Sequence, residues 1–327
     1  ISQPFNIAKR KDILLSVACE LSIHKENFAQ LITSEMGKVI KESRAEIEKC
    51  IAVCHYYAEN AEDYLKDEEL EGGDFKAYKK YCPLGVVLAV MPWNFPFWQV
   101  FRFAAPNFMS GNAILLKHAS NVSGCALAIQ ELFDKFCPQS PFTTLLIPSC
   151  DVSGVLEDNR VQAVTLTGSE YAGSMVAAKA SSEIKKSVLE LGGSDPFIVC
   201  GDADIDRAVE SAIASRFLNC GQSCIGAKRF IVHVSVYDEF LLKFKLRIQE
   251  LKVGDPQLEE TDIGPLADYR FKNELEDQIK NCVQLGGVLF GGESLKGALI
   301  TPGFLSKIDN SARVFKEEIF GPIASFY

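Results

Sequence analysis

The chain has 327 residues, 47% of them hydrophobic and 24% charged, which is typical of a soluble globular protein of about two domains. A net charge of -9 and a pI near 5.2 argue against nucleic acid as a partner, because no basic stripe is present to contact phosphates. No apolar run reaches the roughly 18 residues of a membrane span and no signal peptide opens the chain, so we expect no membrane partner.

The eleven cysteines are an odd number without paired spacing, which predicts reduced thiols and a cytoplasmic location. The four histidines are not grouped with cysteines at ligand spacing, so we expect no metal site. The chain begins at Ile1 rather than at methionine and stops at Tyr327 soon after a Gly-Pro, as a segment of a longer protein would.

The first eighty residues predict helices and one extended segment. Apolar residues recur at helical spacing over 8–36, where Gly37 ends the run, and again over 41–70. A turn at 71–74 precedes an extended, lysine-bearing run over 75–81. Such a run is either an edge strand that its lysines keep from pairing or an arm that pairs with another subunit, and the pattern alone favours the edge strand.

From Leu84 onward, short apolar runs alternate with helical patterns, which predicts an α/β fold with a doubly wound parallel sheet. Ligands of such sheets bind at the carboxyl ends of the strands, where the loops 91–96, 117–120 and 167–169 fall. The strands are predicted at 85–90, 113–116, 143–147, 162–166 and 185–189, with helices at 97–109, 123–136, 152–157 and 169–180.

No Gly-x-Gly-x-x-Gly follows the first strand, so the usual dinucleotide fingerprint is missing. Gly168 and Ser169 instead open a helix directly after the fourth strand. This pair is either a phosphate site at a helix N-terminus or an ordinary N-cap.

A second α/β block starts near Pro196, with a strand at 197–200, a helix at 204–217, a small-residue loop and a strand at 230–234. The loop carries Cys224, and Glu190 ends the apolar strand before the block. A nucleophile on a loop and a carboxylate at a strand end are the parts that a covalent, water-consuming mechanism needs. The alternative is that the cysteine is a small buried apolar residue.

Six segments in this order and spacing resemble the aldehyde dehydrogenase superfamily, and together they cover nearly the whole chain. They are PWNFP at 92–96, GN at 111–112 with Lys117, TGS at 167–169, LELGG at 189–193, GQSC at 221–224 and EEIFGP at 317–322. Within the superfamily, residues 115–121 and 193–199 look most like bacterial succinate-semialdehyde dehydrogenases that accept NAD or NADP.

The resemblance implies a Rossmann-like cofactor-binding domain formed by 1–70 and 84–190, and an α/β catalytic domain formed by 191–327. It makes 71–83 a projecting oligomerisation arm of a homodimer or homotetramer, which replaces the edge-strand interpretation. Family members run to about 450–500 residues, so we expect the catalytic domain to be incomplete at its C-terminus.

The resemblance also assigns the chemistry. Cys224 would attack the aldehyde carbon, with the side-chain amide of Asn94 and the backbone N–H of Cys224 donating to the developing oxyanion. Glu190 would activate the water that hydrolyses the thioester, and burial among apolar neighbours should raise the pKa of this carboxylate. Acylating relatives, which pass the acyl group to a thiol, lack this base, so Glu190 favours a carboxylic acid product.

For the cofactor, the resemblance assigns Lys117 to the adenosine ribose, Gly168 and Ser169 to the pyrophosphate, and Glu318 to the nicotinamide ribose. Phe320 would pack beside the nicotinamide ring, and Trp93 and Leu191 would line the cleft. NAD-selective relatives carry an acidic residue where this chain has Ser120, so we expect NADP to be accepted.

Arg102, eight residues past Asn94, is where semialdehyde-specific relatives hold the distal carboxylate of the substrate, although it could equally form a surface ion pair. The chain departs from some of those relatives. A second arginine six residues before the nucleophile is Leu218 here, and Arg216 is nearby but out of register. Cys220 is expected to be an inert thiol. The alternative to an enzyme is a catalytically silent or truncated binding protein with the same fold.

Overall fold

A computed structural model of the chain describes residues 5–72, 75–137 and 141–327. The chain divides into two compact units. The first comprises the described residues up to Leu31 together with Arg44–Leu191, and the second comprises Ile32–Ser43 and Gly192–Tyr327. None of the helices in the described residues is long and apolar enough to cross a membrane.

The main division falls one residue from the boundary predicted at 190/191, but the segment 32–43 was predicted in the other domain. It belongs to the second unit because its residues bond there. The backbone N–H of Ile40 donates to the carbonyl of Pro256 at 2.8 Å, and the Lys41 ammonium pairs with Asp262 at 2.5 Å.

The N-terminal region forms helices α1 (Ile7–Ile23), α2 (Lys25–Met36) and α3 (Ile40–Leu65). The helical run predicted over 8–36 is therefore broken at His24. The helix predicted over 41–70 ends at Leu65, because β1 (Glu68–Leu70) pairs with β2 (Ala77–Lys79) in an exposed antiparallel ribbon. This ribbon is separate from the larger sheets. The turn predicted at 71–74 lies partly outside the described residues.

The first unit is built around a five-stranded parallel sheet, as the alternating pattern predicts. Its strand order is β5-β4-β3-β6-β7. The chain therefore adds strands on one side of β3 up to β5 and then on the other side from β6, which makes the β3–β6 boundary the topological switch point. The elements are β3 (Val86–Met91), α4 (Trp98–Met109), β4 (Ala113–His118), α5 (Ser123–Asp134), β5 (Phe142–Thr144), α6 (Val152–Glu157), β6 (Val161–Thr167), α7 (Glu170–Ser182) and β7 (Lys186–Glu190).

The second unit has its own five-stranded sheet, in the order β10-β11-β12-β9-β8, parallel except for the β10–β11 pair. Stacked phenylalanines fill its core, with the rings of Phe230 and Phe326 5.1 Å apart. The elements are β8 (Pro196–Val199), α8 (Ile205–Phe217), β9 (Arg229–Val232), α9 (Tyr237–Gln249), α10 (Tyr269–Gln284), β10 (Val288–Gly291), β11 (Gly303–Ser306), α11 (Arg313–Lys316) and β12 (Ile323–Phe326). The two α/β sheets confirm the predicted fold class.

A carboxylate from α3 caps the start of α4. Phe97, at the N-cap position of α4, has no side chain that can accept a hydrogen bond. Glu46 replaces it, because one of its carboxylate oxygens accepts from the N–H groups of Phe97 and Trp98 at 2.8 and 2.9 Å. Glu46 is buried, so it satisfies donors that water does not reach, and its charge complements the positive end of the helix.

Glu46→Ala should lower the free energy of unfolding by about 2 kcal/mol, because a buried N–H group and a partly buried one lose their acceptor. Urea denaturation followed by circular dichroism measures the change. The matched control is Glu48→Ala on the same helix, where the carboxylate is exposed and pairs with Lys25. Equal shifts for the two variants would contradict the capping role.

Candidate functional site

Five of the predicted site residues lie at one edge of the first sheet. Lys117 lies near the end of β4, Gly168 and Ser169 follow β6, and Glu190 ends β7. Asn94 lies three residues beyond the end of β3. Because the strands are parallel, all of these positions fall at the carboxyl edge, where ligands of doubly wound sheets bind.

The loop after β3 is held by His118, a residue for which no role was predicted. Its Nε2 lies 2.9 Å from the carbonyl oxygen of Pro96, and its Nδ1 lies 3.2 Å from the carbonyl oxygen of Met91 and 3.0 Å from the backbone nitrogen of Ala119. Within this loop Asn94 is buried and Trp93 is half-buried. The sequence feature that could have indicated a role for His118 is its position beside Lys117 at the end of a strand.

Lys117 is a buried cation. Its ammonium donates to the hydroxyl of Ser149 at 3.2 Å, and burial lowers its pKa. An ammonium that is buried against a neutral hydroxyl can gain from a further anionic or hydroxyl ligand. Ser120, which begins the turn after β4, is exposed.

The start of α7 is open. Ser169 caps the helix by accepting from the N–H of Ala172 at 3.3 Å, as an ordinary N-cap does. A Cβ added at Gly168 would meet only Leu166, at 3.7 Å, so a ligand could approach the backbone here. Leu191, which follows β7, packs closely against Gly173 of α7.

Glu190 is exposed, and the expectation that it is buried is wrong. Its side chain is 55% exposed, because β7 is an edge strand with a mostly exposed surface. The Arg102 guanidinium lies 3.7 Å from its carboxylate and also donates to the Thr167 hydroxyl at 3.2 Å. This is the ion pair that was the alternative role for Arg102. Such exposed pairs are weak, so each partner can exchange for a ligand.

The loop before Cys224 has an unusual backbone. After α8, the consecutive residues Asn219, Cys220 and Gly221 have φ values of 55°, 56° and 71°. Left-handed backbone is costly for residues with a side chain, and it persists only where the surroundings impose it. Here the Glu42 carboxylate accepts from the N–H of Asn219 at 2.8 Å, and the Gln222 side chain donates to the Asn219 carbonyl at 3.1 Å.

Arg216 joins this loop to the segment that carries Glu318. Its guanidinium is fully buried and donates to the carbonyls of Gly221, Ala227, Ile319 and Gly321. Burial lowers its pKa to about 10. Arg216 therefore has a backbone-binding role, and it does not replace the substrate arginine that is missing at Leu218.

The two thiols of the loop differ in environment. Cys224 is half-buried. Cys220 is buried, its thiol donates to the Gly264 carbonyl at 3.3 Å, and burial raises its pKa. A thiol with a raised pKa is a poor nucleophile at neutral pH, so the structure supports the prediction that Cys220 is inert.

Glu318 lies in the same unit as Cys224, with a neighbour that the sequence did not reveal. The Lys228 ammonium is 2.6 Å from the Glu318 carboxylate and donates to the backbone carbonyl of Cys224 at 2.8 Å. Phe320 is half-buried in the same segment. The available signal for Lys228 was its position, next to Arg229, between the cysteine loop and an apolar strand.

The chain is similar to known proteins over almost its full length. A model of the Aldehyde dehydrogenase family matches residues 3–327. The chain is 49% identical over 321 residues to the "Probable succinate-semialdehyde dehydrogenase" (NADP+) of Synechocystis sp., which covers 97% of this chain and 71% of that protein. It is 48% identical over 327 residues to the succinate-semialdehyde dehydrogenase (NADP+) of Mycobacterium avium. That match covers 98% of this chain and 69% of the relative.

Its fold is likewise similar to solved structures. The crystal structure of succinic semialdehyde dehydrogenase from Streptococcus pyogenes in complex with NADP+ superposes with a TM-score of 0.96. The sequences are 37% identical, and the match covers 98% of this chain and 71% of that one.

Gly221→Ala should lower the free energy of unfolding by about 2–4 kcal/mol, because the added methyl group would contact the Gly321 carbonyl and lie 2.6 Å from Arg216. Chemical denaturation measures the loss. The control is Gly254→Ala in the same unit, where the nearest atom to the new methyl is 3.6 Å away. If both variants were equally stable, the tight packing of the loop would be disproved.

Proposed function

The chain belongs to the aldehyde dehydrogenase family, and we propose that it oxidises succinate semialdehyde to succinate with NADP or NAD as the hydride acceptor. The observation that carries the substrate proposal is the identity of 48–49% to relatives named for this activity. The presence of Cys224, Glu190 and Asn94 together supports a working enzyme over a silent binding protein.

In the proposed mechanism, Cys224 acts first. Its sulfur bonds to the aldehyde carbon, and the carbonyl electrons move to the oxygen. The Asn94 amide and the backbone N–H of Cys224 donate to this oxyanion, and one such donor is typically worth about 3–4 kcal/mol. The loop that carries Asn94 is held by His118, so the amide is positioned before the substrate arrives.

When bound, the nicotinamide cofactor supplies the hydride acceptor that converts the Cys224 adduct into a thioester. Glu190 then takes a proton from water as the water oxygen bonds to the thioester carbon. The carbon–sulfur bond breaks, and the Cys224 thiolate and the carboxylic acid are released. An exposed Glu190 is accessible to water, and its weak pairing with Arg102 leaves it able to accept the proton.

The residues at the sheet edge fit a dinucleotide. The buried Lys117 ammonium, bonded to a neutral hydroxyl, would bind the adenosine ribose, and the open start of α7 at Gly168 and Ser169 would bind the pyrophosphate. Glu318 would accept from the nicotinamide ribose hydroxyls, with Phe320 beside the ring. Trp93 and Leu191 would line the cofactor cleft.

Arg102 is the residue we propose for the distal carboxylate of the substrate. Its guanidinium is partly exposed and is held by only a 3.7 Å ion pair and one hydroxyl contact among the described residues. A substrate carboxylate can bond it in a bidentate manner, which is stronger than the existing pair.

We also propose that the β1–β2 ribbon is an oligomerisation arm of a homodimer or homotetramer. The ribbon exposes apolar side chains beside its lysines, and Phe75 near its tip is 86% exposed. Apolar side chains on an exposed strand pair favour contact with another subunit.

The substrate proposal is tested by following NADPH absorbance with succinate semialdehyde and with butanal, its uncharged counterpart, on this chain and on a version of family length. Succinate semialdehyde should be the better substrate. Arg102→Met should lower kcat/KM for succinate semialdehyde about 10–100-fold and change kcat/KM for butanal less than threefold. Only succinate semialdehyde has a carboxylate that the guanidinium can bind, so only this substrate loses a contact.

Two variants check the chemistry of this assay. Cys224→Ala should abolish NADPH formation, and Glu190→Gln should give a burst of about one NADPH per chain followed by slow turnover. Undiminished turnover by Cys224→Ala would exclude it as the nucleophile. Cofactor binding without oxidation of any aldehyde by the wild type would favour the silent binding protein instead.

Ser120→Glu should shift cofactor selectivity towards NAD by about tenfold or more, because a carboxylate here would repel the 2′-phosphate of NADP. The ratio of kcat/KM for NADP to that for NAD measures this shift. Ser123→Glu, in the next helical turn, is the matched control. An unchanged ratio in Ser120→Glu would exclude Ser120 from cofactor selection.

A further inference from the structure

A buried lysine connects the nucleophile loop to the carboxylate proposed for the cofactor. The Lys228 ammonium lies 2.8 Å from the carbonyl of Cys224 and 2.6 Å from the carboxylate of Glu318. We propose that Lys228 is a positioning residue, which sets the Glu318 carboxylate against the nucleophile loop and thereby tightens binding of the nicotinamide cofactor. This inference rests on the proposed function, because it needs Glu318 to contact the cofactor.

The backbone of Lys228 is held at both sides. Its N–H donates to the Asp195 carbonyl at 3.1 Å, and its carbonyl accepts from the N–H and the hydroxyl of Ser325 at 3.1 and 2.7 Å. The lysine therefore extends from the fixed start of β9. A side chain anchored in this way can restrain a carboxylate on a loop, whereas a mobile lysine could not.

The ammonium and the carboxylate depend on each other. The Lys228 side chain is fully buried, while that of Glu318 is 22% exposed. Burial lowers the pKa of Lys228, and the hydrogen bond and charge of Glu318 oppose this effect. Without Lys228, Glu318 would lose its charged partner at 2.6 Å and its carboxylate could turn towards solvent.

A purely structural ion pair would explain the same contacts, so the test must measure more than stability. The Kd for NADPH is measured by fluorescence titration without aldehyde, for wild type, Lys228→Met, Glu318→Gln and the double variant. Each single variant should bind NADPH about tenfold or more weakly, as expected for loss of a hydrogen bond to a charged group. The double variant should bind within about threefold of Glu318→Gln alone, because Lys228 acts through Glu318.

The control is Lys243→Met in the same unit, where the ammonium is partly exposed and pairs with Asp206 and Glu239. It should bind NADPH like the wild type. If Lys228→Met does not fold, Lys228→Gln replaces it in the comparison with the wild type, and the same loss of NADPH affinity is expected because Glu318 again lacks its charged partner. Thermal unfolding of each variant shows which proteins are folded.

The outcomes separate the two proposals. If the wild type binds neither NADPH nor NADH in this titration, the proposed function is overturned, and the role of Lys228 with it. If the wild type binds but Glu318→Gln binds equally well, the cofactor role of Glu318 is wrong and Lys228 cannot act through it. If Glu318→Gln binds weakly while Lys228→Met matches wild type, or the double variant loses a further tenfold, only the positioning role is overturned.

Discussion

The burial of the Arg216 guanidinium is the constraint on which the second unit depends. A cation without access to water must be compensated by acceptors, and four backbone carbonyls from two separate segments provide them. Two of these carbonyls flank Cys224, and two belong to the segment that carries Glu318 and Phe320. The left-handed backbone before Cys224 is stable because this arginine and its neighbours over-determine it.

In the first unit, polar groups lie at the carboxyl edge of an apolar sheet. Parallel pairing places Lys117, Gly168 and Glu190 at one edge, where the N–H of Gly168 donates to the Glu190 carbonyl at 3.0 Å. Residues on nearby helices and turns provide partners for these polar groups. Ser149 bonds the lysine, Arg102 faces the glutamate, and Glu46 caps the helix that carries Arg102.

Local pattern predicted most of the fold and the positions of the site residues. Strand–helix alternation depends on burial periodicity, which the sequence records directly, so the parallel sheet and the loops at its carboxyl edge could be placed from residues alone. The six collinear segments then gave those residues their proposed roles. The ends of β3, β4 and β6 differ from the predicted ones by only one or two residues.

The rest depended on contacts between residues far apart in the chain. Residues 68–70 continue a helical pattern, but pairing with 77–79 makes them a strand. Glu190 follows an apolar run that is typical of a buried strand, yet the run lies at the sheet edge and its carboxylate is exposed. From the sequence, Arg216 and Lys228 resemble ordinary surface charges. Two of the carbonyls that the buried Arg216 binds, and the carboxylate that the buried Lys228 binds, belong to residues distant in the sequence.

The distribution of the Arg216 acceptors has a consequence for chimeric dehydrogenases. A loop exchange that transplants only residues 218–224 from a relative would retain the host arginine but present it with foreign carbonyl positions. The segment 319–321 lies about a hundred residues downstream, so a single crossover between the two would also divide the set. The C-terminal end of α8, the cysteine loop and the segment 319–321 therefore depend on one another. A chimera should take all three from the same parent protein.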